Sequence, residues 1–189
     1  MMPTYFLRTL AVSALAAASF AANAGYLGNT VEARAYFPDL PPGSTTNAGP
    51  VNAVVGAGIE FSDGQFQPFF GPSFDFADST ITITHAQTGH SGGTFNGYGF
   101  FDVFSAIDGI AGVDILSDNT GFFSGEPSRI SFDPNTVFVN FASLSFGGTQ
   151  APQIVLGVRF GSNRVPEPAT LGLVSLALLA AGAARRRAR

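Results

Sequence analysis

Cysteine, lysine and tryptophan are all absent from the 189 residues. Without cysteine the chain can form no disulfide, no thiolate metal site and no cysteine nucleophile, so its stability must come from packing. The missing tryptophan argues against a sugar-binding platform, because such platforms usually present Trp or Tyr with a polar tip. We therefore expect the clustered phenylalanines to be core residues: Phe100, Phe101, Phe104, Phe122 and Phe123.

The charge distribution excludes one class of partner. All nine basic residues are arginines, and five of them lie in the first ten or last five positions. Residues 25–164 hold four arginines against twelve acids, a formal charge of −8. Because no basic patch is available to meet phosphates, we expect no nucleic-acid partner. With 46% hydrophobic residues and twenty phenylalanines, this body is long enough for one domain with its own core.

The first 24 residues have the pattern of a signal peptide. Arg8 supplies a weak positive charge, residues 10–20 form an apolar run, and Ala22 and Ala24 are the small residues of a cleavage site. The apolar run is too short to remain as a membrane anchor. No twin-arginine pair precedes it, so we expect general secretion in the unfolded state.

The last 25 residues, 165–189, have three parts in a fixed order: a Pro-Glu-Pro tripeptide, an uncharged apolar run over residues 169–184, and a terminal arginine cluster. As a helix the apolar run would be about 24 Å long, slightly short of the ~30 Å hydrocarbon core of a bilayer. The arginine stems can reach the interface and cover the difference. The pattern predicts a transmembrane helix with the basic end in the cytoplasm and the body on the opposite side.

This tail resembles the PEP-CTERM sorting signal of Gram-negative bacteria, which a membrane-embedded exosortase recognises and cleaves near the tripeptide. The resemblance implies an exosortase partner and a transient anchor in the inner membrane, with the body periplasmic and then at the cell surface or in the extracellular matrix. It assigns the sorting motif to Val165, Pro166, Glu167 and Pro168, and the cytoplasmic stop to Arg185, Arg186, Arg187 and Arg189. The alternative is an ordinary tail anchor, with the prolines only marking a helix start.

Between the two ends, residues 25–164 contain short strand patterns separated by Gly, Pro, Asn and Asp. Residues 79–85 are the clearest, with Ile81 and Ile83 on one face and threonines on the other. Two later stretches alternate in the same way, and their predicted inward residues are Val137, Val139, Phe141, Ile154, Leu156, Val158 and Phe160. Further strands are expected near residues 31–37, 51–61, 94–104, 110–116, 129–133, 136–146 and 153–160, with an interrupted edge strand at 66–76 and a polar loop at 44–50. Eight or nine strands and no helical periodicity predict an all-β fold: an antiparallel β-sandwich, jelly-roll-like, between a signal helix and a transmembrane helix.

The body also resembles a recurring, uncharacterised extracellular domain of PEP-CTERM proteins. The matching stretches are residues 36–39, 55–61, 95–98 and 128–133. None of them is a catalytic signature, so this resemblance supports the fold and implies no activity.

Two groups of polar residues could carry chemistry. His85 and His90 flank a turn but have no evident third ligand, so we interpret them as solvent-facing turn residues. Seven aspartates could supply the carboxylate pair of a glycoside hydrolase, although aspartate beside Gly, Pro, Ser or Asn is equally what turns require.

Calcium is the one cofactor that the sequence suggests. Asp114, Asp118 and Asn119 place oxygen ligands in predicted loops, and an exported domain meets millimolar calcium. The run does not match an EF-hand loop, so turn formation is the favoured interpretation and no metal is the expectation.

These observations favour an exported, non-catalytic surface or matrix protein. The resemblance links the family to exopolysaccharide and biofilm, which implies a structural or adhesive role in that matrix. The alternatives are a polysaccharide-binding module and, more remotely, a glycoside-active enzyme. A binding module should present an exposed aromatic groove, whereas a structural domain should bury nearly all its phenylalanines.

Overall fold

Two five-stranded antiparallel sheets build the body of the protein. The computed structural model describes residues 25–161 except 63, 70–71, 86–88 and 148–149. Sheet A has the strand order β2-β1-β6-β9-β8 and sheet B the order β3-β4-β5-β10-β7. The strands are β1 Thr30–Phe37, β2 Thr46–Val54, β3 Ile59–Phe61, β4 Ser73–Phe76, β5 Thr80–Thr84, β6 Gly97–Asp102, β7 Ile110–Asp118, β8 Ile130–Asp133, β9 Thr136–Asn140 and β10 Gln153–Phe160. A short helix α1, Phe122–Gly125, and a 3-10 turn, Pro127–Arg129, connect β7 to β8.

The strands form where the sequence alternates with period two. In β5, Ile81 and Ile83 are fully buried and the flanking threonines are half-buried. The two isoleucines pair with Leu156 and Ile154 of β10, which are also fully buried. β-branched residues on such a half-buried pleated surface favour the strand. The all-β prediction and the inward faces of β5, β9 and β10 are confirmed.

An aromatic network joins the two sheets into one core, as in a β-sandwich. Phe74 of sheet B contacts Phe100 and Tyr98 of sheet A at ring-centroid distances of 4.7 and 5.0 Å, both edge-to-face. Phe66 and Phe61 extend this network on the sheet B side. Edge-to-face pairs of this kind add about 0.5–1.5 kcal/mol each beyond their buried area. The core therefore rests on aromatic packing across the sandwich.

The region around residues 44–61 differs from the prediction in two ways. Residues 46–50 lie in β2 rather than in a polar loop, and Pro50 is tolerated there because β2 is an edge strand with a register shift beside it. The predicted single strand 51–61 is divided between β2 in sheet A and β3 in sheet B. Gly58, with φ of +107°, lies at this crossing, where a positive φ favours glycine.

The phenylalanines of residues 66–76 are also placed differently. β4 lies inside sheet B between β3 and β5, so the predicted edge position is wrong. Phe66 lies in a turn before β4 and is fully buried. Its neighbours Gln65 and Gln67 are exposed, so the turn lies at the surface and only the Phe66 ring enters the core.

Phe141, directly after β9, is fully buried and contacts Tyr98, Phe123 and Phe146. We expect Phe141→Ala to lower the free energy of unfolding by about 3–5 kcal/mol, because it removes a large ring from a packed core. Thr82 lies on the outer face of β5, and Thr82→Ala should cost less than about 1 kcal/mol. Urea unfolding followed by fluorescence or circular dichroism measures both values. Equal losses for the two variants would contradict these face assignments.

Candidate functional site

Two long loops close one end of the sandwich. One connects β5 to β6 over residues 85–96 and the other connects β9 to β10 over residues 141–152. The His90 amide donates to the Leu144 carbonyl at 2.7 Å, and the Ser143 amide donates to the Ser91 carbonyl at 3.2 Å. An isolated bridge joins Gly89 to Ser145. We call these paired loops the end cap.

The two histidines of the chain both belong to the first loop of the end cap, and their rings lie against each other. The Nε2 atoms of His85 and His90 are 2.9 Å apart and share a hydrogen bond, with one imidazole as donor and the other as acceptor. His85 is only 1% exposed, and its amide donates to the Pro152 carbonyl at 2.8 Å. The prediction that both histidines face solvent is therefore wrong. His85 directly follows β5 and is covered by the second loop, so its side chain lies in the interior.

Aromatic rings surround the histidine pair. Phe141 lies with its ring centroid 5.2 Å from each imidazole, and Phe146 lies 5.1 Å from His85. Burial, reinforced by the neighbouring His85, lowers the pKa of His90 to about 4, although a hydrogen bond to Asn96 partly opposes this effect. His90 is consequently neutral at neutral pH, and its ring can act as an acceptor or a ligand.

An open cleft of about 280 Å³ lies beside His90. Its walls come from the end cap, from the start of β2 and the end of β1, and from the turn before β4. The lining residues are Phe37, Thr46, Pro68, Phe69, Gly89, His90, Ser91 and Asn96. The cleft gives one histidine of the pair a route to solvent, whereas His85 lies behind it.

Asp118, one of the calcium candidates, is engaged by the chain itself. One carboxylate oxygen accepts hydrogen bonds from the Thr120 amide, the Thr120 hydroxyl and the Gly121 amide. The other accepts from the amides of Phe123 and Ser124, each at 2.9 Å. Burial alone would raise its pKa, but these hydrogen bonds outweigh it and hold the pKa below the usual range. Asp118 therefore anchors the first turn of α1.

The other calcium candidates point to different partners. Asp114 lies within β7, not in a loop as predicted, and pairs with Arg159 of β10 at 2.9 Å. Asn119 accepts from the Gln153 amide and donates to the Ala151 carbonyl. In the ranges that the structure describes, no group of three or more His, Cys, Asp or Glu side chains is arranged to hold a metal ion. Asp114 and Asn119 thus link β7 to β10 and the segment just before it, whereas Asp118 holds the start of α1.

Two further aspartates, Asp102 and Asp133, act as turn formers. Asp102 accepts from the amides of Ala106 and Ile107 at 3.1 and 3.0 Å. Asp133 accepts from the Asn135 amide in the β8–β9 hairpin. These contacts agree with the turn interpretation, since Asp commonly bonds a backbone amide a few residues ahead.

The outer face of sheet A carries an aromatic patch that the sequence did not reveal. Phe101 and Phe138, both half-buried, lie edge-to-face at 5.8 Å, and the Arg34 guanidinium sits 5.4 Å from the Phe101 ring. Arg34 also pairs with Glu32, which is buried although it faces outward. Gly99 lies beneath both rings; a Cβ there would approach each within 2.9 Å. The sheet therefore needs glycine at this point for the rings to cover it. We call Arg34, Phe101 and Phe138 the outer-face patch.

The phenylalanines predicted as core residues divide into two groups. Phe100 and Phe123 are buried, as expected. Phe104 and Phe122 are exposed, at 70% and 39%, and Phe101 belongs to the outer-face patch. The prediction is wrong for these three. Phe101 follows Phe100 in β6 and therefore faces the other side of sheet A. Phe104 and Phe122 lie in a loop and a short helix, where a period of two does not apply.

Comparison with known proteins identifies the C-terminal segment. Residues 164–187 match the PEP-CTERM protein-sorting motif, a range that contains the Pro-Glu-Pro tripeptide and the first three arginines of the basic cluster. The chain therefore carries the sorting motif of exosortase substrates, in agreement with the resemblance noted from its sequence. No curated protein and no solved structure matches the chain significantly.

The predicted processing sites lie outside the described residues. They comprise the signal cleavage site at Ala22 and Ala24, the residues of the sorting motif, the apolar run and the arginine stop. Within residues 25–161, apart from the gaps given above, no helix has the length and apolar character to cross a membrane.

The contacts of Asp118 lead to a stability prediction. We expect Asp118→Asn to lower the free energy of unfolding by about 1–2 kcal/mol, because an amide nitrogen would face two backbone amides in place of an acceptor oxygen. Millimolar calcium should not restore the loss, since the lost partners are protein amides. Urea unfolding with chelator and with calcium measures both effects. A rise in stability specific to calcium in the wild type, absent from the variant, would contradict this assignment.

Acid provides a second check on the same variant. A depressed carboxyl pKa stabilises the folded state above the ordinary value of about 4, and this contribution disappears as the pH falls through the folded-state pKa. The difference in the free energy of unfolding between wild type and Asp118→Asn should therefore become smaller in acid. Asp133→Asn, an exposed hairpin position with one amide partner, is the matched control and should show a smaller gap.

Proposed function

We propose that this protein is exported and processed by an exosortase, and that its β domain has a non-catalytic, structural or adhesive role in an exopolysaccharide matrix. The observation that carries the proposal is the sorting motif at residues 164–187. In this proposal the signal peptide directs export, the apolar run holds the precursor in the inner membrane, and cleavage near Pro166–Pro168 frees the domain for the cell surface or the matrix.

The packing of the domain supports a structural role. Nine of the 17 phenylalanines that the structure describes are buried, and they form a core without any disulfide. Such a fold does not depend on an oxidising environment after export. The exposed phenylalanines lie on different elements: Phe104 follows β6, Phe122 lies in α1, and Phe132 lies in β8. Because they lie apart, they support a structural role better than a single aromatic binding groove.

Polysaccharide binding is the second candidate, and the outer-face patch favours it. Half-exposed rings beside a guanidinium offer both an apolar surface and hydrogen-bond donors, which a sugar ring requires. A polysaccharide array probed with the exported protein and with Phe138→Ala tests this function. Binding that the variant loses, while Phe132→Ala keeps it, would favour the binding module. No bound polysaccharide would leave the structural role as the better proposal.

The sorting part of the proposal predicts a change in processing. We expect Glu167→Ala, or deletion of residues 185–189, to leave an unprocessed precursor in the membrane of a host with an exosortase. Loss of the tripeptide carboxylate removes part of the recognised motif, and loss of the arginines removes the charge that holds the tail end in the cytoplasm. Cell fractionation followed by mass spectrometry of the released protein measures the outcome.

The control for this experiment is Glu126→Ala, which changes an exposed acid of the body and should leave processing intact. A released wild-type protein that still carries residues 170–184 would contradict exosortase cleavage. Membrane retention of the wild type in the same host would indicate an ordinary tail anchor instead.

A further inference from the structure

We propose that His85 and His90 form a binding site for a divalent transition-metal ion, held through the two Nε2 atoms beside the open cleft, with Cu(II) bound most tightly. This site is independent of the sorting motif and of the proposed matrix role.

The first support is the convergence of the two imidazoles. The chain contains only two histidines, and the fold brings the same ring nitrogen of each to within 2.9 Å. Metal–imidazole bonds are about 2.0–2.1 Å long. A metal ion at that distance from both nitrogens would make an N–metal–N angle of about 90°, the angle between neighbouring ligands in the square-planar and tetragonal geometries of Cu(II) and Ni(II). The metal would replace the shared hydrogen bond, and the proton that this bond carries would move to the other nitrogen of its ring or to water.

The second support is that the surroundings keep both rings in place. Phe141 contacts both imidazoles, and Phe146 packs against them from another side. The His90 amide, which donates to the Leu144 carbonyl at 2.7 Å, fixes the backbone that carries one of the two rings.

The cleft explains how a metal ion could enter and complete its coordination. His90 lines the cleft, and the polar groups of Thr46, Ser91 and Asn96 share its walls. In the part of the chain that the structure describes, no third His, Cys, Asp or Glu joins the two histidines in a metal-holding group. Water or a small ligand in the cleft would therefore fill the remaining positions. An all-nitrogen protein contribution suits late transition metals and not calcium or magnesium, which prefer oxygen.

The test uses the full-length chain in detergent without a polyhistidine tag, stripped with a chelator. Calorimetric titration with Cu(II), Ni(II), Zn(II) and Ca(II) should show one Cu(II) site per chain, weaker Ni(II) and Zn(II) binding, and no calcium binding at this position. Electron paramagnetic resonance of the Cu(II) complex should show nitrogen couplings from two imidazoles. This spectrum is measured on the wild type and does not depend on whether a variant folds.

The variants are His90→Gln and His85→Gln, with Asp133→Asn as the control for an exposed oxygen ligand. We expect each histidine change to weaken Cu(II) binding by more than about tenfold, whereas Asp133→Asn should leave it unchanged. His90 is the more informative variant because it lies at the cleft, so its loss disturbs the core less. Cu(II) binding without imidazole couplings, or with equal affinity in His90→Gln, would overturn the proposal, as would the absence of binding to the wild type.

Discussion

Edge-to-face packing of aromatic rings between the two sheets is the interaction on which the rest of the structure depends. Phe74 and Phe76 of sheet B interlock with Tyr98 and Phe100 of sheet A, so the sheets are held by large rings with directional contacts. With no cysteine in the chain, no covalent link can replace this packing. The histidine pair at the end of the sandwich depends on this packing too, because Phe141 contacts both Tyr98 in the core and His85.

The end cap shows how one buried ring can support both stability and a site. Phe141 touches Tyr98 and Phe123 on the core side and both imidazoles on the loop side. The paired loops above it are held by backbone hydrogen bonds from His90 and Ser143. A polar pair can persist in such an apolar position because its two nitrogens satisfy each other, and an unpaired imidazole there would be costly. The polar residues of this end are therefore fixed by the hydrophobic core beneath them.

How much of this could be predicted from the sequence depends on whether the signal is local. The alternation of β5 and β10 is contained in a few residues each, and their buried faces were predicted correctly. The sorting motif is also a continuous segment, which is why it could be recognised without the fold. The strand order, the division of residues 51–61 between two sheets and the meeting of His85 with His90 depend on contacts between distant segments. The alternation of residues within one strand does not show which distant segments will contact it. Asp118 was selected for its oxygen atoms, but the helix that uses them follows it by only four residues.

The position of β10 links the end of folding to the end of export. β10 is the last strand of the chain, yet it lies inside sheet B, where it pairs with β5 on one side and β7 on the other. Only residues 161–164 separate it from Val165 and the sorting motif. On the export route proposed above, an unfolded chain would cross the membrane N-terminus first, and β5 and β7 would each keep an unpaired edge until Phe160 had emerged. On that route the exosortase would receive a domain whose last strand has only just become available.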